Sequence, residues 1–542
     1  MSALRRARRQ AWLIPATIFC APLAAALWFG ISDSIDLTAW RQLLADTQLP
    51  AALRLSLQTG IASTLIAALL AVAIVTQAHG SPRWHRLTAS VGGMLALPHV
   101  ALAIGLALLL MPSGAIARAI AMFTGWMSPP DIATIQDPNG IALVLALVLK
   151  ETPFLVWNAA AQLQREGQGD EIEKQLRIAA TMGYSRRSGW MRIVWPQLLP
   201  RLALPLLAVW AYGVTVVDMA LVLGPTHPPT LAVLAWRWLL DADEAMNRQG
   251  AAAALMLSLC VAIGACLAVA VRKLGRPALM SRWTRGDRPA SPSHPWPWHA
   301  FMRAAYLAIV AMLLFISVAG VWTFPAWWPA RWSAQAWLTA LASAGTWSTT
   351  LGLALASATT GLVLAVAWLE TTPASWDARA APFVFAPMLV PGVLLVGGLY
   401  ELALRTGSDG SLAGIWLAHS VYAAPYVLVA LAPAYRGFDP RIELTARALG
   451  KPRPVMLWRV KWPMLRAPIA AAFAVGFAVS VAQYLSTQFV GAGRHASLTT
   501  EALTLASGGQ RSLSATFALL QAALPALMFL AAHAVARPRS KA

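Results

Sequence analysis

The chain has 542 residues, of which 58% are hydrophobic and only 12% charged, a composition typical of a polytopic membrane protein rather than a large soluble domain. Its formal net charge is +20, but the basic residues fall between apolar runs, so they indicate membrane topology and argue against a nucleic-acid partner. The cysteines Cys20, Cys260 and Cys266 lie inside apolar runs without a CxxC pair, which argues against disulfides and against a zinc site.

Apolar segments recur along the whole chain. A helix needs roughly 20 apolar residues to cross the hydrocarbon core of a bilayer. The sequence therefore predicts an all-α polytopic membrane protein with about twelve transmembrane helices. The predicted spans are 12–31, 53–77, 87–112, 141–163, 198–224, 251–271, 301–322, 348–370, 381–404, 414–435, 466–491 and 513–536.

The connections between these spans alternate in charge, and positive residues in short loops stay on the cytoplasmic side. One face collects the basic residues: Arg5, Arg6, Arg8, Arg9, Arg83, Arg86, the stretches from Arg186 and from Arg272, the cluster from Arg436 to Arg466, and Arg537, Arg539 and Lys541. The other face carries the acids Asp33, Asp36, Asp241, Asp243 and Glu244. We therefore expect a multi-pass membrane protein with both termini cytoplasmic.

Three charged residues interrupt apolar runs in the first half of the chain, namely Lys150, Glu151 and Asp218. Charge at membrane depth is costly and usually faces protein or a water-filled path. One interpretation is that all three line a translocation pathway or its gate. The other is that Lys150 and Glu151 lie nearer a membrane interface and that Asp218 lies in the unwound end of its helix.

One basic stretch appears twice. "GYSRRSGWMRIVWP" begins at Gly183 and "GKPRPVMLWRVKWP" begins at Gly450. An offset of 267 residues relates the two copies and pairs Ala179 with Ala446, Gly183 with Gly450, Arg186 with Arg453, Arg192 with Arg459, and Pro196 with Pro463. In each copy the sequence predicts a helix that ends at the glycine as a left-handed C-cap, a corner, and a short amphipathic helix. The closing proline is expected in the first turn of the next membrane helix.

The matching stretches divide the chain into an internal duplication. "PHVALAIGL" from Pro98 and "PGVLLVGGL" from Pro391 also match, at a different offset. We expect a first six-helix repeat at 1–271, a cytoplasmic linker at 272–300 and a second six-helix repeat at 301–542. An even number of helices per repeat gives both the same orientation, so the repeats are parallel.

The repeated basic stretch has two interpretations. A basic helix with tryptophans is a common interfacial anchor. An anchor depends on composition, however, whereas these two copies preserve the spacing of glycine, arginine and proline. That register favours a loop with a defined shape.

The two stretches resemble the "EAA" loop of the membrane subunits of binding-protein-dependent ABC importers. The pattern of alanine, glycine and a final proline reads "ATMG…IVWP" in the first half and "ARALG…VKWP" in the second. Both loops lie between the fourth and fifth predicted helices, where the family places its loop. The resemblance spans nearly the whole chain and is strongest to fused two-half permeases of the thiamine, ferric iron, polyamine and sulfate type.

The resemblance implies a transport subunit of the bacterial cytoplasmic (inner) membrane rather than an enzyme. Each loop is expected to dock on one of two copies of a separate cytoplasmic ATP-binding subunit, which would bind the ATP-Mg cofactor. An extracytoplasmic solute-binding protein is the second expected partner. The chain lacks a GxxxxGK[ST] phosphate loop and the histidine spacings of a metal site, so no cofactor or metal is expected in it.

The loops depart from the family pattern at the glutamate, which falls at Arg177 and Leu444, with Glu173 and Glu443 only nearby. A contact made by that acid is therefore not carried over. Trp195 and Trp462 replace the family leucine before the proline. A secondary transporter and a membrane scaffold remain as alternatives, since parallel repeats also occur in secondary transporters.

Overall fold

The computed structural model describes residues 12–164, 168–284 and 297–536. Within these ranges nine helices are long and apolar enough to cross a membrane, or twelve if each of three bent helix pairs is counted as one span. The predicted all-α polytopic fold is therefore confirmed. The predicted cytoplasmic residues 1–11, 285–296 and 537–542, which include the arginines of both termini, lie outside the described ranges.

Among its described residues, the first half contains thirteen helices. They are α1 Leu13–Ser32, α2 Leu37–Ala45, α3 Leu49–Ala78, α4 Arg83–Ala96, α5 His99–Leu110, α6 Ala115–Thr124, α7 Ile141–Leu163, α8 Gln168–Thr181, α9 Arg186–Leu198, α10 Ala203–Thr215, α11 Asp218–Leu223, α12 Leu231–Leu239 and α13 Glu244–Thr284.

The second half repeats this order except for α6. Its helices are α14 Trp298–Val318, α15 Gln335–Ala342, α16 Ala344–Thr371, α17 Asp377–Leu389, α18 Gly392–Thr406, α19 Leu412–Arg436, α20 Pro440–Ala448, α21 Arg453–Met464, α22 Arg466–Val481, α23 Leu485–Val490, α24 Leu498–Ser507 and α25 Arg511–Ala536.

Four of the predicted spans are broken, which corrects the expectation of continuous helices there. Two of the breaks fall at Leu97–Pro98 and Val390–Pro391. Proline causes them because it has no N–H and disfavours helical backbone in the residue before it. The other two breaks separate α10 from α11 and α22 from α23. The breaks occupy equivalent places in the two halves, so they belong to the repeated design.

The first helix of each half packs against the other half. Helix α1 contacts α18 of the second half, and α14 contacts α5 of the first. A glycine permits each crossing: a Cβ at Gly398 would clash with the Ala26 carbonyl oxygen, and a Cβ at Gly105 would lie 2.7 Å from Ile309. Gly105 and Gly398 occupy the same position in the two matching stretches that begin at Pro98 and Pro391. The exchange of first helices ties the halves together.

Each half also makes the same kind of polar contact inside its own part of the bundle. The Leu231 N–H at the start of α12 donates to Ser56 Oγ at 2.9 Å, and the Leu498 N–H at the start of α24 donates to Thr350 Oγ1 at 2.9 Å. Each hydroxyl thereby satisfies one of the free N–H groups at a helix start. The duplication thus extends from backbone order to individual hydrogen bonds.

Candidate functional site

The first repeated loop, residues 168–202, consists of α8, a turn, α9 and the residues that join α9 to α10. Gly183 has φ of +81°, the left-handed region that glycine tolerates best. Its N–H donates to the Ala180 carbonyl and the Tyr184 N–H donates to the Ala179 carbonyl, both at 3.0 Å. These two bonds form a Schellman motif, which satisfies carbonyls left free at the end of α8.

The second repeated loop, residues 440–465, has the same turn between α20 and α21. Gly450 has φ of +71°. Its N–H donates to the Arg447 carbonyl at 2.9 Å, and the Lys451 N–H donates to the Ala446 carbonyl at 3.1 Å. The predicted left-handed glycine caps are therefore confirmed in both loops. Ala179 and Ala446 are the equivalent acceptors, and both side chains are buried.

A π-helical turn follows each corner. It spans Trp190–Val194 in α9 and Leu457–Lys461 in α21, the same five positions in the repeat. Pro196 and Pro463 each lie two residues after this turn; a proline has no N–H and its ring clashes with the carbonyl four residues earlier, so a local widening is expected. The prolines were expected in the first turn of the next membrane helix, but α10 begins at Ala203 and α22 at Arg466.

The amphipathic helices lie at steep angles to the helices that follow. The angle is 83° between α9 and α10 and 78° between α21 and α22. Each repeated loop therefore has the shape of an elbow where it joins the next membrane helix.

Arg186 and Arg453 brace the two loops in the same way. Arg186 Nη2 donates to the His79 carbonyl at 2.6 Å, just after the last residue of α3. Arg453 Nη2 donates to the Glu370 carbonyl at 2.8 Å, in the last turn of α16. Carbonyls at a helix end lack partners within the helix, and the helix dipole favours a cation there. The repeated arginine thus fixes each loop to the equivalent membrane helix of its own half.

The remaining predicted loop residues have no matched role. The Arg192 guanidinium lies 5.3 Å from the Tyr184 ring centroid, whereas Arg459 is exposed. The positions of the missing family glutamate are both exposed: Arg177 lies 4.0 Å from Glu173, and Leu444 presents an apolar side chain.

An ionic network that the sequence did not reveal fills the second repeated loop. Glu370 accepts hydrogen bonds from Arg453 Nη2 at 2.6 Å, Lys461 Nζ at 2.7 Å and the Tyr435 hydroxyl at 2.8 Å. Lys461 Nζ also donates to Glu443 Oε1 at 2.9 Å. The buried ammonium of Lys461 is thus held between two carboxylates. The sequence signal was a lone acid, Glu370, at the end of an apolar run.

Aromatic rings fill the first repeated loop instead. Trp190 is completely buried, and its ring centroid lies 5.2 Å from that of His79 and 6.0 Å from that of Trp195. Trp195 Nε1 donates to Thr76 Oγ1 at 2.9 Å. Burial and the nearby Arg186 guanidinium lower the pKa of His79, while Glu173 opposes this shift. The imidazole is therefore neutral at pH 7.

Lys150, one of the candidate pathway residues, lies at the first helix break. Its Nζ donates to the Leu97 carbonyl at 2.5 Å and to the Leu95 carbonyl at 3.2 Å, at the end of α4. Its repeat counterpart, Tyr422, donates to the Gly392 carbonyl at 3.4 Å, at the equivalent break. In the half that lacks the charge, a tyrosine therefore bonds to the helix on the other side of the equivalent break.

Glu151 and Asp218 are linked through two ring side chains. Glu151 Oε1 lies 3.9 Å from His99 Nε2, the His99 and Tyr212 ring centroids are 4.8 Å apart, and the Tyr212 hydroxyl donates to Asp218 Oδ1 at 3.1 Å. Asp218 is the first residue of α11, directly after a helix break. The structure therefore joins both carboxylates in one polar chain, and sequence reasoning missed His99 and Tyr212 as its links.

This polar chain borders the seam between the two halves. Asp218 begins α11, which contacts the second half, and the Tyr306 hydroxyl of α14 donates to the Leu149 carbonyl, two residues before Glu151, at 3.0 Å. Helix α10 contacts α17 and α11 contacts α24 across the same seam. Elsewhere in the bundle, His419 lies between Ser480 Oγ at 2.8 Å and Thr487 Oγ1 at 3.0 Å.

One relative found by comparison with known proteins matches almost the full length of the chain. The inner membrane ABC transporter permease protein YnjC of Escherichia coli (strain K12) is 34% identical over 97% of this chain and 96% of its own length. The spermidine/putrescine transport system permease protein PotC of the same strain is 23% identical over 30% of this chain and 63% of its own.

A third relative is a probable molybdenum ABC transporter permease protein of Haloferax volcanii, 29% identical over 25% of this chain and 55% of its own length. No protein-family model matches the chain. Two features carry the assignment: the near full-length similarity to YnjC, and a helical bundle suited to spanning a membrane. The chain therefore belongs to the ABC transporter permease family.

Proposed function

We propose that the chain forms the whole membrane-spanning part of an ABC importer and that each repeated loop docks on one of two copies of a separate ATP-binding subunit. The observation that carries the proposal is that both loops keep one construction in register: the Schellman turn, the π turn and the arginine brace. An interfacial anchor has no need of matched backbone geometry. Two equivalent elbows suit two equivalent partners.

Each loop is also placed to pass a movement to the membrane helix that follows it. Each amphipathic helix turns directly into α10 or α22, and these helices lead to the breaks near Asp218 and Tyr484. A displacement of a loop by its ATP-binding subunit would therefore be passed to the broken helices at the seam. Helix breaks at the interface of two repeats are also where transporters of other folds place their substrate path.

We assign the solute pathway to this seam. Glu151 and Asp218 border it, together with His99 and Tyr212, whereas Lys150 stabilises the break between α4 and α5. An extracytoplasmic binding protein would deliver the solute from the side opposite the repeated loops. Selection of the solute is then shared between that receptor and the seam.

We further propose that the chain lies in the bacterial inner membrane with the repeated loops, both termini and the 272–300 linker on the cytoplasmic side. The support is the distribution of basic residues between spans. A single cysteine at Ser291, in a chain with Cys20, Cys260 and Cys266 replaced by serine, tests this arrangement. An impermeant thiol reagent should label it only after the cells are opened, and labelling of intact cells would contradict the topology.

The ATP-binding partner can be tested with the protein purified from native membranes. We expect a subunit with a GxxxxGK[ST] phosphate loop to remain bound through purification, and its hydrolysis of magnesium-ATP to require the complex. A chain that purifies alone, or with a subunit whose hydrolysis is unaffected by it, would contradict the proposed coupling. Hydrolysis is the suitable measurement because it does not require the solute to be known.

A further inference from the structure

A cavity of about 300 Å³ lies between the first helix of the first half and the second half. Its size falls within the range of small-ligand sites, roughly 300–1,000 Å³. Helices α1, α16, α17 and α19 supply its walls, which are almost entirely apolar and include Phe19, Leu364, Phe383, Val384 and Leu428. Phe383 in its wall is 54% exposed, so the cavity is open to the surroundings of the bundle.

Tryptophans surround one end of this cavity. The Trp12 and Trp376 ring centroids are 4.7 Å apart, and Trp368 Nε1 donates to Asp377 Oδ1 at 3.0 Å. Tryptophan is enriched at the headgroup level of membranes. The same end of the bundle carries the second repeated loop, because Glu370, two residues after Trp368, bonds to Arg453 of that loop. The rim therefore lies at the membrane surface on the loop side.

Arg379 is the cation of this rim. Its side chain is exposed, and its guanidinium lies 5.7 Å from the Trp376 ring centroid. The neighbouring carboxylate of Asp377 is already bound by Arg436, at 2.9 and 2.8 Å. Among the residues that the structure describes, Arg379 forms no ion pair with a carboxylate. An arginine at headgroup level beside an apolar cavity is complementary to a phosphate joined to an acyl chain.

We propose that this cavity binds an acyl chain of an anionic phospholipid and that Arg379 pairs with its headgroup phosphate, whose charge is not offset by an ammonium group as it is in phosphatidylethanolamine. The assignment to the cytoplasmic leaflet, where anionic lipids attract basic side chains, rests on the proposed function. The lipid fills the gap between α1 and the second half, close to the second repeated loop. The site is therefore placed to stabilise the contact between the two halves beside that loop.

The repeat supplies a matched control residue. Arg86 in α4 occupies the position equivalent to Arg379 in α17, since both precede the matching prolines Pro98 and Pro391 by twelve residues. Arg86 is likewise exposed, but it does not line the described cavity. Replacing either arginine with glutamine removes one surface charge at equivalent places, and only one of them lies at the proposed site.

The test uses the purified full chain in vesicles of equal parts phosphatidylethanolamine and phosphatidylglycerol. A trace of either lipid carries a photoactivatable group on its acyl chain, and labelled peptides are mapped by mass spectrometry. We expect phosphatidylglycerol to label the cavity walls about fivefold more than phosphatidylethanolamine, which corresponds to about 1 kcal/mol for one basic residue. Arg379→Gln should abolish this preference and Arg86→Gln should preserve it.

A second variant tests the cavity itself. Ala16 lines it, and Ala16→Trp should reduce wall labelling by both lipids because the bulkier side chain fills the space. Equal labelling by the two lipids in the unmodified chain would overturn the headgroup site, and absence of wall labelling would overturn the acyl-chain site. Intact lipid selectivity in a chain that binds no ATP-binding subunit would support the lipid site while rejecting the proposed function.

Discussion

The first repeated loop is packed with aromatic rings and the second is held by ion pairs, although their backbones match. Position by position, Trp190 of the first loop corresponds to Leu457 of the second, and Val194 corresponds to Lys461. The glycine turn, the π turn and the arginine brace are the same in both. The comparison teaches that the duplication preserved the shape of the loop and left its interior free to change.

The largest expected effect comes from breaking the ionic interior of the second loop. Glu370→Ala removes one of the two carboxylates that the structure places beside the buried Lys461 ammonium, and leaves Glu443 as the other. The same change removes the carboxylate that pairs with Arg453. Removing one partner of a buried ion pair typically costs about 3 kcal/mol or more. We expect a lower thermal midpoint of the purified chain and faster proteolysis within residues 440–465.

A double variant tests whether the interiors of the two loops are interchangeable. Lys461→Val installs the residue found in the first loop, so adding it to Glu370→Ala removes the uncompensated charge. We expect the double variant to recover most of the lost stability, because an apolar replacement for a buried pair is often neutral. If the double variant is less stable than Glu370→Ala alone, the two loop interiors are not interchangeable in the way the backbone match implies.

The reciprocal change in the first loop should have a smaller effect. Trp190→Leu introduces the residue of the second loop and removes a buried indole whose Nε1 has no hydrogen-bond partner among the described residues. The lost packing should cost about 2 kcal/mol, less than truncation to alanine, since leucine refills part of the space. Thermal unfolding of the purified variant measures this, and an unchanged midpoint would show that the aromatic packing contributes little.

The smallest expected effect is a dependence on pH that only the first loop shows. Burial lowers the pKa of His79 below its ordinary value of 6.5. Between the two pKa values the unfolded loop binds a proton that the folded loop excludes, so stability falls as pH drops below about 6.5. Amide hydrogen exchange in residues 183–198 should therefore be faster at about pH 5.5 than at about pH 7.5 after correction for intrinsic rates.

His79→Gln should remove this pH dependence, because glutamine does not titrate in that range while the backbone carbonyl that accepts from Arg186 remains. The equivalent segment of the second loop serves as an internal reference. An equal pH response in both loops would mean that His79 is not the titrating group.

The membrane spans could be predicted from the sequence because apolar run length reports directly on burial in lipid. Helix α7, Ile141–Leu163, coincides with the predicted span 141–163. The breaks were missed because the chain is equally apolar on both sides of them. Pro98 and Pro391 marked two of the breaks, whereas the break before Asp218 has no proline and depends on tertiary packing.

The loop turns were predictable because glycine caps and their spacing act within a few residues. The Glu370 network was not, since 83 residues separate Glu370 from Arg453. The exchange of first helices was also hidden, because nothing in the sequence around Gly105 or Gly398 shows that a helix of the opposite half crosses there. Local geometry could be predicted, and long-range pairing could not.

The central claim is that each repeated loop holds one ATP-binding subunit, and the direct measurement is the native mass of the purified complex. Gly183→Val and Gly450→Val force a β-branched residue into the left-handed region and should spoil one turn each. Gly125→Val is the control, since Gly125 has φ of +74° at the end of α6, outside both loops. We predict two ATP-binding subunits per unmodified chain and per control, one per loop variant, and loss of coupled ATP hydrolysis in either loop variant at equal membrane abundance. Two bound subunits with normal hydrolysis in both loop variants would contradict the account.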